Sequence, residues 1–266
     1  MKDVTLNNGV VMPGVGFGVY QISSRQTKKC VLDALKVGYR HIDTARNYGN
    51  EQEVGQAIKA SGLKREEIFL TTKIYGAYSY LEACQYIDDA LKKLQVDYLD
   101  LLLFHWPSGN LIETYRAMED YYQKGKIKAL GLSNFFGSDF KTIINNCRIM
   151  PAVNQVEAHV FHQRKAMLQE MSQYGICLEA WSPLACGKHN IFNQPVLKAI
   201  AANHQKSVAQ IALKFLNQKG IVVIPKSTHL NRIKENVDIF DFKLIDEEIK
   251  AIEKLDLNRS LFGWYE

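Results

Sequence analysis

Residues 41–49 read HIDTARNYG, and this stretch predicts how the rest of the chain is organised. It has the pattern of a short buried strand that ends on a carboxylate, Asp43, followed by a polar loop that carries Tyr48 before a helix begins. Two later strand candidates also end on polar side chains, because residues 68–73 lead to Lys73 and residues 101–105 lead to His105. If these strands are parallel neighbours, the four side chains converge at one edge of the sheet.

The composition is that of an ordinary globular protein, with 266 residues, 47% hydrophobic and 23% charged. No apolar run approaches the roughly 18 residues of a membrane span, and the chain starts without a secretory signal, so we expect a cytoplasmic protein with no membrane partner. The five cysteines form no C-x-x-C pair and are expected to be free thiols. The net charge of +5 is spread along the chain without a Lys/Arg block, so no nucleic-acid partner is expected.

Strand-like and helix-like segments alternate along most of the chain. Glycine follows most of the helical segments, which is the expected C-terminal stop. Eight such repeats in about 250 residues predict an α/β protein, a single (β/α)8 TIM barrel domain over residues 1–266. Residues 5–13, TLNNGVVMP, predict an N-terminal β-hairpin around an Asn-Gly turn. The predicted strands are 15–19, 40–44, 68–74, 98–106, 127–133, 152–157, 176–182 and 221–225, and the predicted helices between them are 25–37, 51–60, 80–94, 111–124, 139–146, 163–174 and 207–218.

Two motifs invite other interpretations. The glycine cluster GVGFG at residues 14–18 resembles a dinucleotide-binding loop, but the third glycine of G-x-G-x-x-G is replaced by Val19 and no helix begins there. The pair His159 and His162 lacks the glutamate and the further ligand of a zinc helix. We therefore predict neither a doubly wound fold nor a metal site.

Taken singly, each of the four polar residues has an ordinary structural explanation: Tyr48 as a surface residue, Lys73 as a strand end, Asp43 as a helix cap and His105 as a core histidine. Together they predict a catalytic group. A buried pair with Asp43 would keep Lys73 charged, and that cation would lower the Tyr48 pKa by about 1–3 units, making the phenol a general acid. A neutral His105 would donate a hydrogen bond to a carbonyl oxygen. Such a site needs a hydride from elsewhere.

The sequence strongly resembles the aldo-keto reductase superfamily, and in particular its compact, microbial-type members. The resemblance spans nearly the whole chain and implies a (β/α)8 barrel and an NAD(P)H-dependent carbonyl reductase with Tyr48 as proton donor and Asp43, Lys73 and His105 beside it. It rests on Gly16-Phe17-Gly18, residues 43–51, Lys73, His105-Trp106-Pro107, residues 131–135, Asn154-Gln155, residues 181–184 and residues 224–227.

The same resemblance implies an NADPH site. Lysine and arginine with hydroxyl donors suit a dianionic 2′-phosphate, which favours NADPH over NADH. The alternative is that residues 224–236 form only a solvated helix start. The implied contacts are Ser133, Asn134 and Gln155 to the nicotinamide carboxamide, Trp181 stacked on its ring, with Ser182 and Leu184 following; Lys226, Ser227 and Arg232 to the phosphate; and Glu235 and Asn236 near the adenine.

The substrate pocket is where the match to larger family members is weakest. Tyr20 and Trp106 match wall positions of the family, and the C-terminal loop is expected to be short, leaving an open pocket. Small aldehydes, ketoaldehydes, keto sugars and prostanoids all stay open as substrates, as do the roles of Arg46 and Trp264. An alternative function is an NADPH-binding regulatory or structural subunit with little turnover. Family precedent favours a monomer.

Overall fold

The computed structural model describes residues 3–264, and its central feature is an eight-stranded parallel sheet. Each strand pairs with the next in chain order, from β3 to β10. A parallel bridge between Val15 and Val223, with the Gly16 amide donating to the Val223 carbonyl at 2.9 Å, joins the first strand to the last. The fold is therefore the predicted (β/α)8 barrel. Its strands are β3 (Phe17–Gly18), β4 (His41–Asp43), β5 (Phe69–Ile74), β6 (Leu101–Phe104), β7 (Leu130–Ser133), β8 (Val153–Glu157), β9 (Cys177–Trp181) and β10 (Val222–Val223).

Helices connect the strands and cover the outside of the barrel. Their starts follow local sequence signals: the Ser79 hydroxyl accepts from the Glu82 amide, and Ser207 and Gln210 form a capping box. The helices are α1 (Ser24–Lys36), α2 (Glu51–Ala60), α3 (Tyr80–Leu94), α4 (Leu111–Gln123), α5 (Gly137–Asn146), α6 (Lys165–Gln173), α7 (Pro195–His204), α8 (Val208–Gln218), α9 (Leu230–Val237) and α10 (Asp246–Glu253), with 3-10 turns at Arg46–Tyr48, Arg65–Glu67 and Ala185–Asn193.

The predicted N-terminal hairpin consists of β1 (Asp3–Thr5) paired with β2 (Val11–Pro13). Gly9 has a φ of +84°, a conformation that glycine adopts without a Cβ clash. The buried side chains of Leu6 and Met12 belong to one apolar cluster with barrel residues that include Phe69 and Leu101. Phe69 and Leu101 are the first residues of their strands, so the hairpin closes the amino-terminal end of the barrel, opposite the strand ends that carry the polar residues.

The glycine cluster at residues 14–18 serves barrel closure. A Cβ on Gly16 would lie 2.5 Å from His41 Nδ1 and 2.9 Å from Ile224 Cγ2, closer than packed side chains tolerate. The cluster therefore allows the first and last strands to approach each other.

Most predicted strands are longer than the observed ones, and the helices α7 and α10 were not predicted. The predicted strand 98–106 is observed only at Leu101–Phe104. Just before it, the Asp100 carboxylate accepts a hydrogen bond from the Leu70 amide and pairs with Arg65. The predictions also passed from residue 182 directly to residue 207 and missed α7, although Pro195 at its first turn is a helix-start signal. Among residues 3–264 no helix has both the length and the apolar character needed to cross a membrane.

Candidate active site

The carboxyl ends of neighbouring strands place the predicted polar residues together. Asp43 is the last residue of β4 and lies opposite Thr71 in β5. Lys73 is two residues further along β5, so it points to the same face as Thr71. His105 follows β6 directly, and Ser133 ends β7.

Lys73 lies at the centre of this cluster and is fully buried. Its Nζ atom donates to Asp43 Oδ1 at 2.6 Å and to the Thr44 carbonyl at 3.0 Å. It also lies 3.4 Å from the hydroxyl of Tyr48. A buried cation is thus paired with one carboxylate and adjacent to one phenol.

The electrostatics of the cluster differ in one respect from the expectation. Burial lowers the Lys73 pKa, but Asp43 and Tyr48 raise it by more in total, so the lysine stays charged as predicted. For Tyr48 the predicted lowering of the pKa is wrong. Burial raises the Tyr48 pKa to about 12, because desolvation of the phenolate outweighs the attraction of the Lys73 cation. The phenol therefore keeps its proton at neutral pH.

His105 is buried beside Tyr48, with the two ring centroids 5.8 Å apart. Burial, and secondarily the Lys73 cation, lower the His105 pKa well below its ordinary value. Its Nδ1 atom is buried and has no hydrogen-bond partner among the described residues. The imidazole is therefore neutral, which is the form that was expected to orient a carbonyl oxygen.

The side-chain amides of Asn134 and Gln155, which were expected near the nicotinamide carboxamide, form hydrogen bonds with other groups of the protein. Asn134 has a φ of +60°; its Nδ2 donates to the His105 carbonyl at 3.2 Å and its Oδ1 accepts from Trp181 Nε1 at 2.8 Å. Gln155 Nε2 donates both to Asp43 Oδ2 at 2.9 Å and to Glu179 Oε2 at 2.7 Å. Sequence reasoning missed Glu179, although an acid within the apolar strand β9 was a visible signal.

An aromatic cluster surrounds Trp181, the residue that was expected to stack on the nicotinamide. The Trp181 ring is stacked on Trp264, with ring centroids 5.1 Å apart, and Phe262 contacts Trp181 edge-on at 5.2 Å. Trp106 meets Trp264 at 6.3 Å. The three tryptophans of the chain are therefore all in this one cluster.

The C-terminal segment that carries Trp264 is held by the buried carboxylate of Glu157 at the end of β8. Glu157 accepts hydrogen bonds from the Ser260 hydroxyl at 2.6 Å and the Leu261 amide at 2.9 Å. His159 Nε2 lies 2.9 Å from the same carboxylate. These contacts fix the backbone just before Phe262.

The loop after β9 has an unusual backbone. Ser182 has a φ of +50°, and its Oγ lies 3.3 Å from the Cys186 sulfur. Leu184 is partly buried against the core. Left-handed conformations continue within the 3-10 segment, so the loop is built from strained positions that sequence patterns do not predict.

The residues expected at the adenosine phosphate lie at the start of α9. Lys226 and Arg232 are exposed, whereas Ser227 is buried and accepts a hydrogen bond from the His229 amide at 3.1 Å. Within residues 3–264 neither cation forms an ion pair with a carboxylate. Further along α9, Asn236 is buried and Glu235 half-buried.

The walls around Tyr48 are aromatic. Tyr20 is 45% exposed, and its ring lies 4.9 Å from the Tyr48 ring. Tyr75, which the sequence analysis missed, lies 5.1 Å from the His105 ring and accepts a hydrogen bond from Asn47. Its position two residues after Lys73, on the same side of the chain, was the available signal.

Arg46 points away from this site. Its guanidinium pairs with Asp89 at 3.0 Å and lies over the Tyr86 ring at 4.2 Å. The geometry supports a structural role of Arg46 in the loop. Nor do the described residues include a group of three or more side chains that could hold a metal ion. His159 is instead bonded through both ring nitrogens, to Glu157 and to the Phe161 amide.

The cluster of Tyr48, Lys73, Asp43 and His105 lies at the carboxyl ends of the barrel strands, where the active sites of (β/α)8 enzymes are found. Residues 12–257 match the model of the Aldo/keto reductase family, and the chain belongs to this family. Members of the family generally use a nicotinamide cofactor.

Three proteins illustrate the similarity. The chain is 44% identical to a glyoxal reductase of Bacillus subtilis over 260 residues, covering 96% of this chain and 94% of the relative. It is 40% identical to a 9,11-endoperoxide prostaglandin H2 reductase of Trypanosoma cruzi, covering 98% and 93%. The crystal structure of an aldo/keto reductase from Brucella melitensis superposes with a TM-score of 0.92 at 44% identity, covering 96% of this chain and 99% of that one.

Proposed function

We propose that this protein is an NADPH-dependent reductase that converts aldehydes and ketones to alcohols, with Tyr48 as the proton donor. The observation that carries the proposal is the position of Lys73 Nζ, 2.6 Å from Asp43 and 3.4 Å from the Tyr48 hydroxyl. This arrangement supplies a phenol with a cation ready to stabilise the phenolate that proton donation leaves behind.

The roles of the residues follow from their protonation states. Tyr48 holds its proton at neutral pH and releases it to the carbonyl oxygen as that oxygen becomes an alkoxide, a far stronger base. Lys73, which the Asp43 carboxylate keeps protonated, stabilises the resulting phenolate. The neutral His105 donates a hydrogen bond that orients the carbonyl oxygen toward Tyr48. When bound, NADPH supplies the hydride.

The residues available to hold NADPH fit its chemistry. The exposed, unpaired cations Lys226 and Arg232 and the Ser227 hydroxyl suit the 2′-phosphate, at the amino end of α9 where free amides favour an anion. Glu235 and Asn236 follow on the same helix for the adenine. Trp181 offers a flat ring for the nicotinamide, with Ser133, Asn134, Gln155, Ser182 and Leu184 around it.

The pocket walls favour a carbonyl compound with an apolar or compact body. Tyr20, Tyr75 and Trp106 are aromatic, and Trp264 at 50% exposure leaves one side open to solvent. The names of the relatives extend from a glyoxal reductase to a prostaglandin endoperoxide reductase. We place small aldehydes and ketoaldehydes first among the substrates. A cytoplasmic location and a monomeric state stay predictions.

The proposal is tested by measuring NADPH and NADH oxidation with glyoxal, methylglyoxal, a keto sugar, an aromatic aldehyde and a prostanoid. We expect turnover of at least one carbonyl, with tighter binding of NADPH than of NADH. Lys226→Ala should weaken NADPH binding and leave NADH binding unchanged, whereas Lys234→Ala, which changes an exposed lysine on α9, should change neither. Equal affinity for the two cofactors would contradict the phosphate site, and binding of NADPH without reduction of any carbonyl would favour the regulatory-subunit alternative.

A further inference from the structure

A second buried carboxylate, Glu179, lies beside the catalytic cluster. It is in β9 directly opposite Gln155 in β8, and it is fully buried. The Gln155 Nε2 atom donates one hydrogen bond to Glu179 Oε2 at 2.7 Å and another to Asp43 Oδ2 at 2.9 Å. One amide nitrogen therefore joins the carboxyl groups of Glu179 and Asp43.

The charges around this bridge do not balance if both acids are ionised. Lys73 faces the cluster from β5 and is paired with Asp43 at 2.6 Å. From β4, His41 Nε2 lies 3.7 Å from Glu179 Oε1, too far for a hydrogen bond, and it contacts Thr71 instead at 3.0 Å. Glu179 Oε1 is buried and has no hydrogen-bond partner among the described residues. An ionised Glu179 would be a buried charge without a cation of its own.

We propose that Glu179 is a positioning residue of the site, a buried carboxylic acid that shares the Gln155 amide with Asp43. The Lys73 charge interacts with Asp43 and Tyr48 without competition only while Glu179 is protonated. Its ionisation places a second carboxylate beside Asp43. That charge competes for Lys73 and for Gln155, and it disfavours a phenolate on Tyr48. Reduction therefore slows as Glu179 loses its proton to solvent.

The pKa values of the groups in this cluster agree with this geometry. Burial, and secondarily the Asp43 carboxylate, raise the Glu179 pKa to about 8. Burial lowers the His41 pKa to about 3, with Lys73 adding to the effect, so His41 is neutral and cannot compensate. On the same strand, burial and then Glu179 raise the pKa of the Cys177 thiol, which stays neutral as well. Glu179 is thus the group of this cluster whose charge changes near neutral pH.

The protonated acid has its own infrared signature, so this inference can be tested without turnover. We expect the protein, made with isotope-labelled glutamate, to show a labelled carboxylic-acid carbonyl band that disappears with a midpoint near pH 8. The band should be absent from Glu179→Gln. The matched control is Glu51→Gln, because Glu51 is a second buried acid whose pKa is raised by burial, yet it contacts Thr72 instead of the cluster. If Glu179→Gln does not fold, the labelled wild type and Glu51→Gln still show whether a second glutamic acid titrates.

The positioning role rests on the proposed reduction and is read from the pH dependence of kcat/KM. The kcat/KM of the wild type should fall with rising pH, at the same midpoint as the infrared band. Glu179→Gln, which resembles the protonated acid, should keep its activity to at least one pH unit higher. Absence of a titrating glutamic acid between about pH 6 and about pH 10 would overturn the inference even if carbonyls are reduced. A titrating band with identical pH profiles in both proteins would overturn the positioning role. A titrating band without reduction of any carbonyl would instead refute the proposed function.

Discussion

At Tyr48, burial and the Lys73 cation act on the same proton in opposite directions. The distance of 3.4 Å between Lys73 Nζ and the Tyr48 hydroxyl is close enough for strong attraction, yet the Tyr48 pKa is raised to about 12. Lys73 is therefore better described as a group that stabilises the product phenolate than as one that prepares a dissociated tyrosine. Its own charge depends on Asp43.

This dependence predicts a non-additive pair of substitutions. Lys73→Met leaves the Asp43 carboxylate buried without its cation, and we expect a loss of about 3–5 kcal/mol in the free energy of unfolding. The double substitution Lys73→Met with Asp43→Asn removes both charges and should recover most of that loss. Urea unfolding of the wild type, both single variants and the double variant measures the coupling. A double variant as unstable as Lys73→Met alone would refute the buried-pair description.

At this scale the sequence predicted which residues meet but not how strongly each holds its proton. Asp43, Lys73 and His105 stand out as polar ends of apolar strands, so their convergence followed from parallel strand order. The Tyr48 pKa depends on how deeply the phenol is buried, which is set by Tyr20 and other side chains distant in sequence. Glu179 was missed because it lies in the middle of β9, whereas the search considered polar residues at strand ends.

Among the elements, the C-terminal segment has the clearest link to function. The Ser260 hydroxyl binds Glu157 Oε2 and also accepts from the Phe262 and Gly263 amides, at 3.0 Å each. This turn places the Trp264 ring against the Trp181 ring. Sequence patterns could not predict the contact, because a short tail without periodicity carries no signal for where it packs.

Loss of this turn should be visible in tryptophan fluorescence, since all three tryptophans lie in the cluster. Ser260→Ala removes a hydrogen bond to a buried carboxylate, at a cost of about 1–3 kcal/mol, and should free the segment. We expect easier quenching of tryptophan fluorescence by acrylamide and a higher KM for carbonyl substrates. Ser172→Ala, which removes only a local bond to Gln169 on α6, is the control. Quenching equal to that of the wild type would show that the segment is held by other contacts.

For the whole molecule, alternating strands and helices were sufficient to predict the barrel, because the barrel core needs apolar strands and amphipathic helices in strict succession. A closed barrel requires the first and last strands to meet, as Val15 and Val223 do, but the feature that allows their close approach was not predicted. The reason is steric, since the space at Gly16 is filled by His41 and Ile224. The additional helix α7 was not predicted, because the alternation of strands and helices in a barrel does not require a second helix after β9.

The buried titratable groups predict a stability maximum near pH 6.5. Burial depresses the pKa values of His41 (to about 3), His162 (to about 4) and His105 from the ordinary 6.5. Below pH 6.5 the unfolded chain binds more protons, so stability falls with falling pH by up to about 1.4 kcal/mol per unit for each histidine. Glu179 acts oppositely: its pKa is raised from 4.5 to about 8, so the stability it contributes is lost as pH rises across that range.

The three histidines outweigh Glu179 below pH 6.5, and Glu179 dominates between pH 6.5 and 8. Urea unfolding at a series of pH values measures the profile, and Glu179→Gln should remove its alkaline decline. Stability that rises steadily through pH 8 would contradict this assignment of charges.

The measurement that tests the central claim most directly compares the wild type with Tyr48→Phe in a carbonyl-reduction assay, with NADPH binding followed separately by tryptophan fluorescence. The two proteins differ by one hydroxyl, the proposed source of the proton. We predict equal NADPH affinity and a loss of roughly 10²–10⁴-fold or more in turnover for Tyr48→Phe. Wild-type turnover in the Tyr48→Phe protein would contradict the account, because the proton would then have to come from another group.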